Sequence, residues 1–219
     1  YGSDWFNELK KEYCYSFVLH HEKNRIVSPI EQNAIFLVEN HSIKNGIIKR
    51  EELQKITNIT NVFNLTKNMI KDYQGDLFFP IKGFTIKKEK DRMNWINPNY
   101  KYVESLKMNF NNKYLNYISL RQQHLLKEYL VYFPEDSYDF EEYRNEFNRI
   151  KVILYGRYVS RFIRKEIETK DIEYSLKPLV YELHNHYKDT GQKINLKVVS
   201  DYLHSLDGKK MLFIKNKLF

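Results

Sequence analysis

The spacing of apolar residues in the second half of the chain constrains its fold more than any other feature. From about Lys113 these residues recur at helical intervals, in segments that cover residues 114–133, 140–170, 174–188 and 196–206. Breaks at residues 134–137 and 189–192 separate the segments, as expected where helices are joined by turns. This pattern predicts a set of amphipathic helices that pack on one another, beginning after a division of the chain near residues 108–112.

The first half combines helical spacing with a region of β-like composition. Residues 4–17, 28–45, 49–57 and 61–73 follow the helical period, and Asn45-Gly46 is a typical helix stop. After Gln74-Gly75, aromatic and β-branched segments at residues 77–81, 83–87 and 94–102 predict short strands. The predicted fold class is therefore mainly α with a small antiparallel β hairpin or sheet.

The length and composition predict a globular protein of one or two domains. The chain has 219 residues, of which 42% are hydrophobic and 16% aromatic, so each half could bury a core. We expect two domains, at residues 1–108 and 109–219. The second is expected to be helical throughout.

The location predicted from the sequence is a reducing, cytoplasmic one. No apolar run approaches the roughly 18–20 residues that span a bilayer, and the first residues lack the basic and apolar regions of a leader. The single cysteine, Cys14, excludes an internal disulfide framework. No membrane partner is expected.

The net charge of +8 indicates an acidic partner such as nucleic acid. Alanine occurs once, at Ala34, whereas Lys, Asn, Ile, Tyr and Phe are abundant, which is typical of AT-rich coding in phages, plasmids, viruses and some bacteria. Such coding spreads lysines along a chain without placing them on one face. The positions of the basic residues are therefore more informative than their number.

Three successive helical patterns, the last two joined by a tight turn, precede a basic hairpin pattern. Asn58 stands at that turn, and asparagine tolerates a left-handed backbone better than most residues. Over residues 28–103 the order of elements resembles the winged helix-turn-helix superfamily. The resemblance implies a recognition helix that reads the major groove of duplex DNA with Asn61, Asn64, Lys67, Asn68 and Lys71. It also implies a wing that contacts backbone phosphate with Lys82, Lys87, Lys88, Lys90 and Arg92.

Two further basic features lie in the helical half. Residues 196–219 resemble a second helix-turn-helix, with Lys209, Lys210, Lys215 and Lys217 predicted to face outward. Arg157, Arg161 and Arg164 follow at i, i+4 and i+7, which places them on one face of a predicted helix. That face either contacts phosphate or forms ion pairs with acids of other helices, such as those at residues 135–146.

No motif for catalysis is recognisable. The chain lacks a Gly-rich phosphate loop, an HExxH and a GxSxG, and His184-Asn185-His186 lies in a helical pattern without the strand and ligands of a nuclease site.

We therefore expect a sequence-dependent nucleic-acid-binding protein, with duplex DNA favoured and with no catalytic residue, metal or cofactor. Two alternatives stay open: an adaptor for protein contacts in a larger assembly, and the DNA-recognition part of a nuclease, replication or transcription complex. In either case the helical half could also join copies of the chain or bind a partner protein.

Overall fold

The chain is mainly helical, with small antiparallel sheets in its first half. The computed structural model describes residues 3–30, 32–61, 79–88, 91–108 and 110–219. Residues 1–104 and 105–219 form two compact units, so the predicted division at residues 108–112 lies a few residues beyond the observed one. The coarse fold class predicted from the sequence is confirmed.

A mainly antiparallel sheet lies in the N-terminal unit. Its strands β1 (Tyr13–His20), β2 (Ala34–Lys44) and β3 (Ile47–Arg50) lie in that order, and the short β4 (Thr60–Asn61) pairs with β2 in parallel. Asn45 and Gly46 join β2 to β3 with φ angles of 49° and 76°. Two consecutive positive φ values are typical of the type I′ turn, whose twist matches that of a hairpin.

The predicted helix at residues 4–17 is wrong. A 3₁₀ helix covers Ser3–Glu8, and residues 13–17 belong to β1. Tyr13 and Phe17 are four residues apart, a spacing that fits both a helix and alternate positions of a strand. Tyr15 distinguishes the two, because it is partly buried together with Tyr13 and Phe17 whereas Cys14 and Ser16 are exposed.

The predicted helices at residues 28–45 and 49–57 are also wrong. The first segment is a loop followed by β2, and Asn45-Gly46 is a hairpin turn rather than a helix stop. The second contains the end of β3 and irregular chain, although Asn58 has the expected positive φ, at 61°. Side-chain contacts hold this irregular segment, since Gln54 accepts a hydrogen bond from the Tyr15 hydroxyl at 2.7 Å and donates one to the Glu8 carbonyl at 2.7 Å.

A small hydrophobic core lies beneath the sheet. Trp5, Leu37 and Ile56 form its buried centre. Partly buried residues surround them: Leu9, Tyr15, Phe17, Ile35, Leu53 and Ile59. The 3₁₀ helix, the sheet and the irregular segment therefore share one core, and burial of these apolar groups favours extended chain over the isolated helices predicted here.

The predicted basic hairpin is present. Strand β5 (Gly83–Lys88) pairs with β6 (Asp91–Ile96), and the rings of Phe84 and Trp95 stack across the pair at 5.3 Å. Gly83 has a φ of 155°, and a Cβ there would lie 2.1 Å from the Trp95 carbonyl oxygen, so only glycine fits. The predicted strand at residues 94–102 ends at Ile96, because Pro98 begins helix α1 (Pro98–Leu106).

Helices make up the C-terminal unit. They are α2 (Lys113–Gln122), α3 (Leu126–Tyr132), α4 (Ser137–Tyr158), α5 (Lys177–Thr190), α6 (Leu196–Ser205) and α7 (Gly208–Leu218). The predicted helix at residues 114–133 is two helices, which separate where His124 adopts a φ of 61°. The predicted helix at residues 140–170 begins at Ser137 and loses its α-helical form after Tyr158, continuing as a π-helical turn, Val159–Ile163.

Helix α4 lies at the centre of this unit. One of its faces is buried, through Phe140, Phe147, Ile150, Leu154 and Tyr158. Helices α2, α5, α6 and α7 all pack against α4. These contacts place α5, α6 and α7 beside one another, and that arrangement positions the site described below.

The buried face of α4 provides a test of the fold. Replacing Ile150, which is fully buried, with Ala is expected to lower the free energy of unfolding by about 2–5 kcal/mol, because it removes packed methylene groups and leaves a cavity. Val152→Ala is the matched control on the same helix, since Val152 is 57% exposed, and its effect should stay below about 1 kcal/mol. Denaturant titration of the two variants measures both values, and equal losses would contradict the central position of α4.

Candidate nucleic-acid interface

The predicted recognition helix falls largely outside the described residues. Asn64, Lys67, Asn68 and Lys71 all lie in the range 62–78, which the structure does not describe. Asn61 is described, and its backbone ends β4 opposite Leu37 of β2. The part of the winged helix-turn-helix resemblance that falls on described residues thus retains its hairpin but not the helices at residues 28–45 and 49–57.

The hairpin offers fewer free cations than its sequence indicates. Lys87 forms an ion pair with Glu39 of β2, and partial burial together with the nearby Arg92 lowers its pKa. Lys82 lies 3.9 Å from Glu104 and over the ring of Tyr100. Arg92 is exposed on β6, while the side chains of Lys88 and Lys90 are outside the described set. Lys87 is therefore a structural cation rather than a free phosphate contact.

Arg157 is also held by an ion pair. Its guanidinium donates to both oxygens of Glu173, with N–O distances of 2.5, 2.8 and 3.1 Å. The guanidinium hydrogen bonds lower the pKa of Glu173, and the carboxylate raises the pKa of Arg157. The ion-pair alternative is thus correct for this arginine, although its partner lies outside residues 135–146, in the segment between α4 and α5.

The other two arginines do not extend a single helical face. Arg161 lies within the π-helical turn, where it donates to the Ile167 carbonyl at 3.2 Å and its Nε is buried. Arg164 follows the turn and lies 3.9 Å from Glu166 on the surface. Because the chain leaves the α-helical period after Tyr158, the predicted one-face stripe of Arg157, Arg161 and Arg164 is wrong.

Glu182 of α5 links the last three helices. Its carboxylate accepts a hydrogen bond from the Tyr202 hydroxyl of α6 and lies 3.3 Å from the Lys210 ammonium of α7. Burial and the Glu182 carboxylate raise the pKa of Tyr202, so this phenol keeps its proton as a donor. The Glu182 side chain of α5 therefore contacts both α6 and α7 and helps to hold the three helices together.

Helices α6 and α7 are joined by a short connection, in the segment where the sequence predicts a second helix-turn-helix. Asn195 and Asp207 cap the two helices, and only Leu206 and Asp207 separate them. The Gln122 amide of α2 donates to the carbonyls of His204 and Leu206, both at 2.8 Å, which holds the connection in place. The sequence pattern places Val199, Leu203, Met211, Ile214 and Leu218 on the inner side, and the first four are buried while Leu218 is partly buried.

The exposed face of α7 differs in part from the prediction. Lys209 and Lys217 are exposed as expected, but Lys210 pairs with Glu182, and Lys215 lies 3.3 Å from Glu146 of α4 and over the Tyr114 ring. Phe213 and Asn216 complete the face and were missed by the sequence analysis. The signal was present in the spacing, because residues 209, 213, 216 and 217 share one side of a helix whose opposite side carries Met211 and Ile214.

The described residues contain neither a group of metal ligands nor a membrane-spanning helix. No group of three or more His, Cys, Asp and Glu side chains among them could hold a metal ion. His184 stacks on Phe162 at 3.7 Å with its pKa lowered by burial, and His186 contacts Gln192 at 3.0 Å. No helix in the described ranges is both long and apolar enough to cross a bilayer.

Comparison with known proteins adds no relative. The chain matches no protein family, no curated protein and no solved structure.

The Arg157 and Glu173 pair generates a stability prediction. Arg157→Gln should lower the free energy of unfolding at neutral pH by about 1 kcal/mol, the upper end for a partly exposed pair, because it leaves the Glu173 carboxylate unpaired. The lowered folded-state pKa of Glu173 means that the pair stabilises the protein above the ordinary glutamate pKa of 4.5 and ceases to do so as the pH falls through the lower folded value. The destabilisation caused by Arg157→Gln should therefore be smaller at acidic pH than at neutral pH. Thermal melts at several pH values measure it, with Arg164→Gln as the exposed control, and a loss independent of pH would contradict the assignment.

Proposed function

We propose that this protein binds nucleic acid, with duplex DNA as its ligand, through the exposed face of α7. The observation that carries the proposal is the composition of that face: Lys209, Phe213, Asn216 and Lys217 are exposed on one side of a helix that contains four lysines and no acidic residue. A helix of this kind fits the major groove of B-DNA. The binding protein proposed here performs no chemistry on its ligand.

The exposed polar side chains of α7 suit contacts with the bases and phosphates of a duplex. Asparagine forms a bidentate pair with the adenine edge, which suits Asn216 for reading sequence. Lys209 and Lys217 suit contacts to phosphate or guanine, and those contacts would set the position of α7 on the duplex. The Gln122 amide hydrogen bonds to the connection between α6 and α7, and these bonds keep α7 in a fixed orientation. This fixed orientation limits the entropy lost on binding. In the N-terminal unit, the exposed Arg92 of the hairpin is proposed as a separate phosphate contact, and Lys82 could contribute only alongside its contacts with Glu104 and Tyr100.

A salt titration tests the proposal. In Lys209→Gln/Lys217→Gln, binding to duplex DNA should weaken, and the slope of log K against log salt should fall by up to about 1.8, because each phosphate contact releases condensed counterions. The control variant Lys127→Gln/Lys170→Gln removes the same charge from α3 and from the segment before α5, and should retain the wild-type slope. Equal slopes for the two double variants would refute an interface on α7.

A second candidate function is self-association through the hairpin of β2 and β3. Ile43 and Ile48 are cross-strand partners and are exposed, and Ile47 beside them is 70% exposed. Exposed apolar side chains on neighbouring strands favour a protein contact. Among the described strands, β3 is paired only with β2, so its other edge could accept a strand from a second copy of the chain.

Light scattering at increasing protein concentration tests this second candidate. The wild-type chain is expected to form a dimer, and Ile43→Thr/Ile48→Thr is expected to be monomeric at the same concentrations, because the change removes apolar surface while it retains β-branched side chains. Thermal melting checks that the variant keeps its fold. A wild-type chain that stays monomeric at high concentration rejects self-association through this hairpin.

A further inference from the structure

An open groove lies beside α7, between that helix and the segment that leads into α5. Its cavity volume is about 270 Å³. Leu179 and Ile214, both buried, contribute apolar surface to it. Two aromatic and two basic side chains line it as well: Tyr174, Phe213, Lys177 and Lys210. The groove adjoins the proposed duplex interface, since Phe213 belongs to both.

Two aromatic rings of this groove are exposed. Tyr174 is 81% exposed and Phe213 is 44% exposed, whereas Tyr114, Tyr117 and Phe147 of the same unit are buried in its core. The Lys217 ammonium lies over the Phe213 ring at 6.0 Å, which places a cation beside that ring. An exposed ring is a surface on which a planar, electron-poor group can stack. Nucleic-acid bases have this shape and stack on aromatic side chains whatever their sequence.

The charges around the groove select an anionic ligand. The two charged side chains that line it are both lysines, and no carboxylate is among its described lining residues. Lys210 is held at the groove by Glu182, whose carboxylate lies 3.3 Å away and offsets part of its charge. Lys177 lines the groove without an ion-pair partner among the described residues. The two lysines therefore offer positive charge to the phosphates of a strand whose bases stack on the rings.

Ser175 belongs to the wall of the groove. This side chain is 6% exposed and lines the groove beside Tyr174. Its hydroxyl oxygen is itself buried, so contacts with a ligand fall to the two rings and the two lysines.

We propose that the groove formed by Tyr174, Ser175, Lys177, Lys210 and Phe213 binds an unpaired nucleic-acid strand by stacking its bases on the two rings. This inference rests on the proposed nucleic-acid binding and extends it to the class of ligand. Bases inside a duplex are stacked on one another and cannot offer their faces to a protein ring, whereas bases of a single strand can. The protein therefore prefers a duplex that continues into a single strand over a blunt duplex.

Fluorescence anisotropy with three labelled probes tests the inference. The probes are a blunt duplex of about 20 base pairs, the same duplex with an overhang of about 8 nucleotides, and a free strand of about 12 nucleotides, a length within the range covered by compact single-strand sites. The wild-type protein should bind the overhang probe at least about fivefold more tightly than the blunt duplex. In Tyr174→Ala, which leaves the exposed face of α7 intact, this gain should vanish, and free-strand binding should weaken about tenfold, while affinity for the blunt duplex changes little.

Three further variants separate stacking from structural support. Tyr174→Phe keeps the ring and should bind like the wild type, and Tyr138→Ala removes a similarly exposed tyrosine outside the groove and should also leave binding intact. Tyr174→Trp adds an indole whose fluorescence should be quenched by the free strand, since both native tryptophans, Trp5 and Trp95, lie in the N-terminal unit. Thermal melts confirm that each variant is folded.

The outcomes distinguish the two proposals. If the blunt duplex binds but the overhang adds no affinity and no quenching occurs, the groove inference fails and the proposed function stands. If Tyr174→Ala loses blunt-duplex and free-strand binding equally, Tyr174 supports the fold and does not stack on bases, so the inference again fails. If no probe binds the wild-type protein, both proposals fail.

Discussion

Burial of one face of α4 organises the C-terminal unit. The residues that form it repeat at helical spacing from Phe140 to Tyr158, and four other helices remove that face from water by packing against it. Because Met211 and Ile214 of α7 are also buried, the orientation of α7 about its own axis is fixed. Lys209, Phe213, Asn216 and Lys217 must then face outward. The proposed interface is in this sense a consequence of core packing.

Ion pairs within the protein determine which cations remain available to a ligand. Glu39, Glu146, Glu173 and Glu182 engage Lys87, Lys215, Arg157 and Lys210, respectively. The net charge of +8 therefore overstates the free positive surface. What distinguishes the face of α7 is the exposure of Lys209 and Lys217 beside an asparagine and an aromatic ring, rather than the number of lysines in the chain.

The helical spacing of apolar residues predicted the secondary structure of the C-terminal unit well and that of the N-terminal unit poorly. In the C-terminal unit, apolar residues repeat over ten or more residues, a length over which the periods of helices and strands diverge. In the N-terminal unit, Tyr13 and Phe17 fit both periods, and the side-chain hydrogen bonds of Gln54 hold a segment that has a helical pattern but no helix. Tertiary contacts outweigh local preference in such short segments.

The sequence by itself determined most of the C-terminal helices, the β5 and β6 hairpin, and the left-handed backbone at Asn58, because caps, breaks and left-handed positions are local properties of the chain. Only the tertiary structure decided which charges are paired and which aromatic rings are exposed. Glu173 lies 16 residues from Arg157, and Lys210 lies 28 residues from Glu182. Tyr174 and Phe213 reach one groove because α4 draws α5 and α7 together, and no periodicity within either segment encodes that contact.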